Sequence, residues 1–237
     1  MKLFPAIDLY GGQAVRLLHG DYQQMTVYSS DPCGVAKDFI ACGAENIHIV
    51  DLEGAKDGTT PNLQLIEKIA SLGLFVEVGG GIRSEEIAAR YLSSGVGRVI
   101  LGTAAVTDPA LLEDLVKKYG EKIAVSVDLK DGYAAIRGWQ EKSPLTCDQL
   151  MLRLQDTGVE TVICTDISRD GAMRGTNHAL YADLNARYRM DFIASGGVSS
   201  MEDVTALADS GIYGAIIGKA YYTGAIDLKK AVEAASR

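Results

Sequence analysis

Short apolar runs alternate with amphipathic stretches from one end of the chain to the other. The runs Leu3–Ile7, Asn46–Val50, Phe75–Val78, Arg98–Leu101, Ile123–Val127, Thr161–Cys164, Phe192–Ala194 and Ala215–Ile217 read as strands. Between them, apolar residues recur at helical spacing, as in Asn62–Ser71, Ser84–Ser94, Pro109–Tyr119, Cys147–Thr157 and Ser199–Asp209. Ser84, Asp108 and Ser199 stand where an N-cap is wanted, and Pro109 suits a first helical turn. Gly43, Gly73, Gly95, Gly158 and Gly211 end helical patterns at a position that favours a left-handed residue. Eight strand-then-helix units predict a closed parallel α/β fold, the (β/α)8 TIM barrel, as one domain over residues 1–237. A doubly wound open sheet is the alternative. Four stretches, 9–32, 52–61, 129–144 and 167–176, show no clear element and are expected as loops. They follow strands 1, 2, 5 and 6, on the face where barrel enzymes carry their chemistry.

The pattern is written twice. Gly79-Gly80-Gly81-Ile82-Arg83-Ser84 recurs as Ser195-Gly196-Gly197-Val198-Ser199-Ser200, and Ile100-Leu101-Gly102-Thr103-Ala104 as Ile216-Ile217-Gly218-Lys219-Ala220, both 116 positions on. Asp51 with Asn62 matches Asp166 with Asn177 at a spacing of 115. Asp8-Leu9 followed by Ala14-Val15-Arg16 matches Asp128-Leu129 followed by Ala135-Ile136-Arg137, at 120 and 121. Two half-barrels of four units each, related by a near-twofold axis, are predicted, and an open sheet does not account for them. What one half binds, the other is expected to bind across a shared centre.

The doubled motifs supply two candidate anion cradles. Gly80, Gly81 and the Gly102-Thr103 pair follow strands 3 and 4; Gly196, Gly197 and the Gly218-Lys219 pair follow strands 7 and 8. Glycines there let backbone N–H groups approach a phosphate, and the following helix adds its positive end. Tight strand-to-helix turns need glycine too, but two pairs, each completed by a glycine on the next strand, favour phosphate. Opposed cradles call for a small substrate phosphorylated at both ends, or for two phosphorylated ligands. Asp8 and Asp128 end strands 1 and 5, on the perpendicular axis. Two carboxylates flanking the middle of a substrate suit proton removal from carbon by one and proton donation to oxygen by the other; capping of turns is the plainer use of Asp.

Around this pair, Arg16 and Arg137 form a second matched set, each able to anchor a phosphate, polarise an oxygen or join a surface ion pair. Trp139, the one tryptophan, lies on a polar loop, where it either stacks on a flat ring or packs beneath the loop. Thr165 can hydrogen-bond a carboxylate or a substrate hydroxyl. His48 sits inside strand 2, where a core role is as natural as a chemical one, and His19 and His178 carry no spacing argument.

Composition narrows the partners. Hydrophobic residues make up 47% and charged residues 23%, enough apolar side chain for a large core. A net charge of −8 argues against a general nucleic-acid surface, so an anionic ligand must be held by local groups. Four cysteines show no paired or metal-ligand spacing, which fits reduced thiols in the cytoplasm and no metal. Asp8 comes too early for a signal-peptide core, and no apolar run nears the roughly 20 residues of a membrane span. A cytoplasmic monomer is expected, without membrane or nucleic-acid partners.

Taken together, Pro5-Ala6-Ile7-Asp8-Leu9, Gly12-Gln13-Ala14-Val15-Arg16-Leu17, His48-Ile49-Val50-Asp51-Leu52, Gly79-Gly80-Gly81-Ile82-Arg83, Leu101-Gly102-Thr103-Ala104, Gly138-Trp139, Thr165-Asp166-Ile167, Arg169-Asp170-Gly171, Ser195-Gly196-Gly197-Val198 and Gly218-Lys219-Ala220 resemble one family over the whole chain. It is the phosphoribosylformimino-5-aminoimidazole carboxamide ribotide (ProFAR) isomerases of histidine biosynthesis. The resemblance implies an Amadori rearrangement of the aminoaldose ProFAR to the aminoketose PRFAR, with no cofactor or metal. It also implies Asp8 as general base, Asp128 as general acid and Thr165 as its support, with Arg16, Arg83, Trp139, Lys219 and the cradle residues on the substrate. Two related activities are alternatives: the cyclase subunit of imidazole glycerol phosphate synthase, and a dual-substrate isomerase that also takes phosphoribosylanthranilate. The cyclase has lysine in place of Arg16 and Thr-Ser in place of Thr165-Asp166; the dual-substrate enzymes tend to carry Ser in place of Gly79. A non-catalytic sugar-phosphate sensor would have no need of both aspartates.

Overall fold

The structure, a computed structural model, describes residues 1–18 and 20–236. Its strands, in chain order, are β1 (Lys2–Tyr10), β2 (Gln13–Leu18), β3 (Asp21–Ser29), β4 (Asn46–Asp51), β5 (Phe75–Gly79) and β6 (Arg98–Leu101). They continue with β7 (Ile123–Lys130), β8 (Tyr133–Ile136), β9 (Glu141–Thr146), β10 (Thr161–Asp166), β11 (Asp191–Ser195) and β12 (Gly214–Ile217). β1, β4, β5, β6, β7, β10, β11 and β12 pair in parallel in that order, and β12 pairs back onto β1. The ring is therefore closed, with helices between successive strands. It is the expected (β/α)8 barrel and not an open sheet.

Side chains alternate between the two faces of each barrel strand. One set, including Ile47, Ile49, Val76, Val78, Val125, Val127, Val162 and Cys164, is buried against the helices. The other points into the lumen, where Phe4, Ala6, Ile100, Ala124, Ile163, Ile193 and Ile216 form a separate apolar cluster.

Helix ends follow local chemistry. Ser84 and Asp108 cap their helices by accepting the N–H groups of Ile87 and Leu111. The predicted cap Ser199 is corrected to Ser200, which forms a capping box with Asp203, because two capping bonds close only from that position. Gly43, Gly73, Gly95, Gly158 and Gly211 have φ between +73° and +96°, as a helix-terminating glycine should.

Two of the expected loops are strands. β1 and β2 form an antiparallel hairpin over Gly11-Gly12, and β7 and β8 form its counterpart over Asp131-Gly132. All four turn residues have positive φ (58°, 72°, 51° and 78°), the geometry of a two-residue turn that matches strand twist. β3 and β9 extend the hairpins. The stretch 52–61 likewise holds a short helix, Leu52–Asp57. Register corrects the sequence pairing as well. Val15 lies opposite Asp8 and Ala135 opposite Asp128, so Arg16 corresponds to Ile136 and not to Arg137. A slip of one residue turns a strand side chain to the opposite face.

Candidate active site

Asp8 and Asp128 face inward near the C-terminal ends of β1 and β7, which stand opposite each other in the ring. Their surroundings differ. Asp8 is buried, and its Oδ2 accepts a hydrogen bond from Arg16 Nη1 at 2.9 Å. Its Oδ1, also buried, has no hydrogen-bond partner among the described residues. A carboxylate anchored by one oxygen and free at the other is built to accept a proton. Among the described residues no arginine is hydrogen-bonded to Asp128; it accepts from the Trp139 indole and from Thr165, its register neighbour on β10. Burial pushes the Asp128 carboxyl up, and Asp170 adds to this; Trp139, Thr165 and His48 pull it down. The balance lies above the ordinary carboxylate value, which suits a group that holds a proton and then delivers it.

Trp139 reaches Asp128 from an unusual loop. Arg137, Gly138 and Trp139 have successive φ values of 55°, 65° and 69°, a run that non-glycine residues adopt only under constraint. The constraint is visible: Thr103 Oγ1 accepts the Arg137 N–H at 2.9 Å. The tip also meets the β2–β3 hairpin, since a Cβ on Gly20 would lie 3.7 Å from both Gly138 O and Trp139 Cε3. Arg137 itself points outward and pairs with Glu141 at 3.2 Å, with 64% of its side chain exposed. Of the two predicted arginines, only Arg16 enters the site.

The glycine motifs pack one loop against the next. A Cβ on Gly80 would overlap the carbonyl oxygen of Asp51, and one on Gly81 that of Gly54. Across the pseudo-twofold, a Cβ on Gly196 would come within 2.7 Å of Asp166 O and one on Gly197 within 2.6 Å of Gly175 O. With positive φ at all four, packing alone demands glycine, whether or not an anion binds. Gly102 and Gly218 share almost the same backbone angles (φ −103° at both; ψ −104° and −108°), and neither helix that follows has a side-chain cap. The first N–H groups of these helices are therefore without a capping side chain. Arg16 lies directly against Gly218, where any Cβ would overlap its Nη2. Lys219 Nζ donates to Gly171 O at 3.2 Å. Arg83 Nη2 donates to Ala55 O at 2.7 Å, so its guanidinium is engaged on the neighbouring loop.

The doubled Asp-to-Asn spacing is an anchor for these loops. Buried Asp51 accepts from Gly54 N, Asn62 Nδ2 and Tyr91 OH, each at 2.9 Å. Asp166 accepts from Ser168 and from Asn177 Nδ2 at 2.7 Å. His178 pairs at 3.1 Å with Asp203, a buried carboxylate that also accepts the N–H groups of Thr176, Ser199 and Ser200, and His19 lies outside the described residues. Sequence reasoning passed over Asp170, whose charge reaches both Arg16 and Asp128, and the Glu77–Arg98 pair beneath His48. An Asp where the first half has Ala55 was the available signal for Asp170.

Residues 2–227 match the family described as histidine biosynthesis protein. The chain belongs to that family. It is 49% identical to a Listeria monocytogenes protein over 234 residues, covering 98% of each chain. A relative from Dehalococcoides mccartyi is 47% identical, with 98% of this chain and 99% of the other covered. One from Brachyspira hyodysenteriae is 46% identical over the full length of both. All three are named 1-(5-phosphoribosyl)-5-((5-phosphoribosylamino)methylideneamino) imidazole-4-carboxamide isomerase. This chain is accordingly an enzyme, an isomerase of histidine biosynthesis, as the resemblance implied. None of its described helices is long and apolar enough to cross a membrane.

Proposed function

We propose that this isomerase converts ProFAR to PRFAR by an Amadori rearrangement in which Asp128 is the general acid and Asp8 the general base. The observation that carries the reading is the contrast between the two aspartates: Asp8 is bound to Arg16 with Oδ1 unengaged, and Asp128 is held by neutral donors above its ordinary value. Asp128 gives its proton to the furanose ring oxygen, the bond from that oxygen to C1′ breaks, and a Schiff base forms. Asp8 Oδ1 then takes the C2′ proton, and the enolamine tautomerises to the ketone. Thr165 holds the Asp128 carboxylate in place through the transfer. One terminal phosphate sits at Gly80, Gly81, Gly102 and Thr103, the other at Gly196, Gly197, Gly218 and Lys219. Clamping both ends of a flexible substrate between two cradles supplies alignment worth several kcal/mol, about 7 or more in the best cases. Proton transfers of this kind require no metal or redox cofactor.

The test is turnover of ProFAR by the purified chain, followed by absorbance, beside phosphoribosylanthranilate and beside PRFAR with ammonia. Conversion of ProFAR alone supports the proposal. Conversion of both ribosides makes this a dual-substrate isomerase, and consumption of PRFAR with ammonia alone makes it a cyclase and overturns the reading.

A further inference from the structure

The two doubled glycine turns are kept in place by different chemistry. In the first half, exposed Arg83 reaches from its turn to Ala55 O on the preceding loop at 2.7 Å. At the spacing of 116 its counterpart is Ser199, and the counterpart of Ile87 is Asp203. Asp203 is only 6% exposed and stands third in the helix Met201–Asp209. One buried carboxylate thus stands behind the second glycine turn, and an isoleucine behind the first.

The Asp203 carboxylate joins two loops. Its Oδ1 accepts from Thr176 N at 3.2 Å and lies 3.1 Å from His178 Nε2. Its Oδ2 accepts from Ser199 N at 3.0 Å, from Ser200 N at 3.1 Å and from the two serine hydroxyls at 3.2 and 3.3 Å. Thr176 carries the connection on, since its Oγ1 donates to Gly196 O at 2.8 Å. Gly175 N donates to Ser199 Oγ at 3.1 Å, and a Cβ on Gly197 would come within 2.6 Å of Gly175 O. The Gly196-Gly197 turn is therefore held at its start through Thr176 and at its end through Ser199, and Asp203 ties the two together. A helix cap accounts for the exchange with Ser200. It does not account for the bonds to Thr176 and Ser199, which lie outside the helix. Burial works against the charge of Asp203, but the N–H groups of Ser199 and Thr176, with His178 and the Ser199 hydroxyl, outweigh it and hold the carboxyl below its ordinary range. At neutral pH it therefore only accepts. The first half lacks donor and acceptor together. Pro61, the counterpart of Thr176 at a spacing of 115, has no N–H to give, and Ile87 has no oxygen to receive one.

We propose that Asp203 is a positioning residue for substrate binding, which fixes the Gly196-Gly197 turn in its phosphate-receiving shape before the phosphate arrives. The proposal rests on the assignment of that turn to a substrate phosphate. A loop already in its bound shape spends no affinity on being ordered. The same clamp closes the end of the loop 167–176, whose Gly171 O accepts from Lys219 Nζ at 3.2 Å. The glycine turn and the lysine of the second cradle thus share one support. Asp203 acts on the end of the substrate and not on its reacting middle, so its contribution belongs to binding and is equal before and during the proton transfers.

The experiment compares wild type, Asp203→Asn, Thr176→Val and the double variant, by steady-state kinetics with ProFAR and by backbone amide NMR with inorganic phosphate as the probe. Asn keeps the size of Asp but must turn its NH2 group toward one of the two sets of donors. In Asp203→Asn, KM should rise about tenfold, with kcat within about twofold of wild type. Phosphate should shift the amide signals of Gly196 and Gly197 in wild type. In Asp203→Asn the same shifts should need about tenfold more phosphate, while Gly80 and Gly81 respond as before. Thr176→Val should raise KM in the same sense, and the double variant should fall short of the product of the two effects, because both changes break one connection. If Asp203→Asn fails to fold, Thr176→Val and Ser199→Ala, which spare the buried carboxylate, carry the same KM and phosphate expectations. An unchanged KM, or a loss of phosphate binding that is equal at both glycine turns, overturns the proposal. Wild type without phosphate shifts at Gly196 and Gly197 overturns it together with the cradle assignment. Failure of wild type to convert ProFAR counts against the isomerase reading alone, and the phosphate titration, which uses no substrate, then decides the role of Asp203.

Discussion

Arg16 donates to Asp8 at 2.9 Å, while Ile136 occupies the equivalent place beside Asp128. A barrel built from two similar halves would otherwise present two interchangeable carboxylates. Removing the cation from one side, and adding the indole and hydroxyl donors there, separates them chemically. The loop that offers Trp139 to Asp128 holds three consecutive left-handed residues, and the hydroxyl of Thr103 ties it down, so the asymmetry is built into backbone as well as side chains.

If Asp8 and Asp128 divide the proton transfers, Asp8→Asn and Asp128→Asn should each lower kcat by on the order of 10²–10⁴, with KM changing far less. Combining them should cost much less than the product of the two effects, because each step waits on the other. Steady-state kinetics with ProFAR measures all three variants; near-normal turnover in either single variant removes that residue from its role.

Asp128 also links catalysis to stability. Its carboxyl is harder to ionise in the fold than in the unfolded chain, so the folded state holds its proton longer. Through the window that opens above the ordinary value of 3.8, the folded state binds more protons, and stability falls as pH rises. Asp128→Asn should therefore melt at a higher temperature than wild type at neutral pH, and the gap should close once the pH is below 3.8. Thr165→Val, by deleting a donor to the carboxylate, should move the alkaline limb of kcat to higher pH. A thermal scan across pH checks the first expectation and a rate profile the second.

Periodicity and repetition revealed the barrel strands, the terminating glycines and the opposed aspartates, because each depends on local spacing. The hairpins were in the sequence too: Gly11-Gly12 and Asp131-Gly132 stand between β-prone residues, a two-residue turn signal. Their strands leave the barrel and alternate weakly, so periodicity alone predicts loops there. Arg137 was matched to Arg16 by the likeness of Ala135-Ile136-Arg137 to Ala14-Val15-Arg16, whereas the equal turn lengths fix the register one residue away. The His48–Glu77–Arg98 network was illegible for another reason: its contacts span 21 and 29 residues and exist only once three strands are aligned.

Gly80 and Gly73 separate two reasons for needing glycine. Both have positive φ, 115° and 96°. Around Gly73 a Cβ would find open space, so Gly73→Ala should cost only the backbone term, about 1–2 kcal/mol. At Gly80 the Cβ would overlap the Asp51 carbonyl, which the barrel cannot move, and Gly80→Ala should cost about 4 kcal/mol or prevent folding. Urea unfolding of the two variants reads the difference. Equal costs would mean that the second and third loops are not packed together as described.

Gly218 makes the most selective prediction. A Cβ there would overlap Arg16 Nη2, the far end of a side chain that can swing aside. Gly218→Ala should still fold, since the atom that must give way ends a flexible side chain. It should instead detach Arg16 from Asp8 and lower kcat by up to about a hundredfold, through misplacement of the base. Arg16→Ala should do the same by deletion, and the double variant should be no slower than Arg16→Ala alone, because both changes break one contact. If Gly218 served only to admit a phosphate, Gly218→Ala would raise KM, and its effect would multiply with that of Arg16→Ala. Kinetics of the three variants therefore distinguishes a glycine that makes room for the arginine from one that makes room for the substrate.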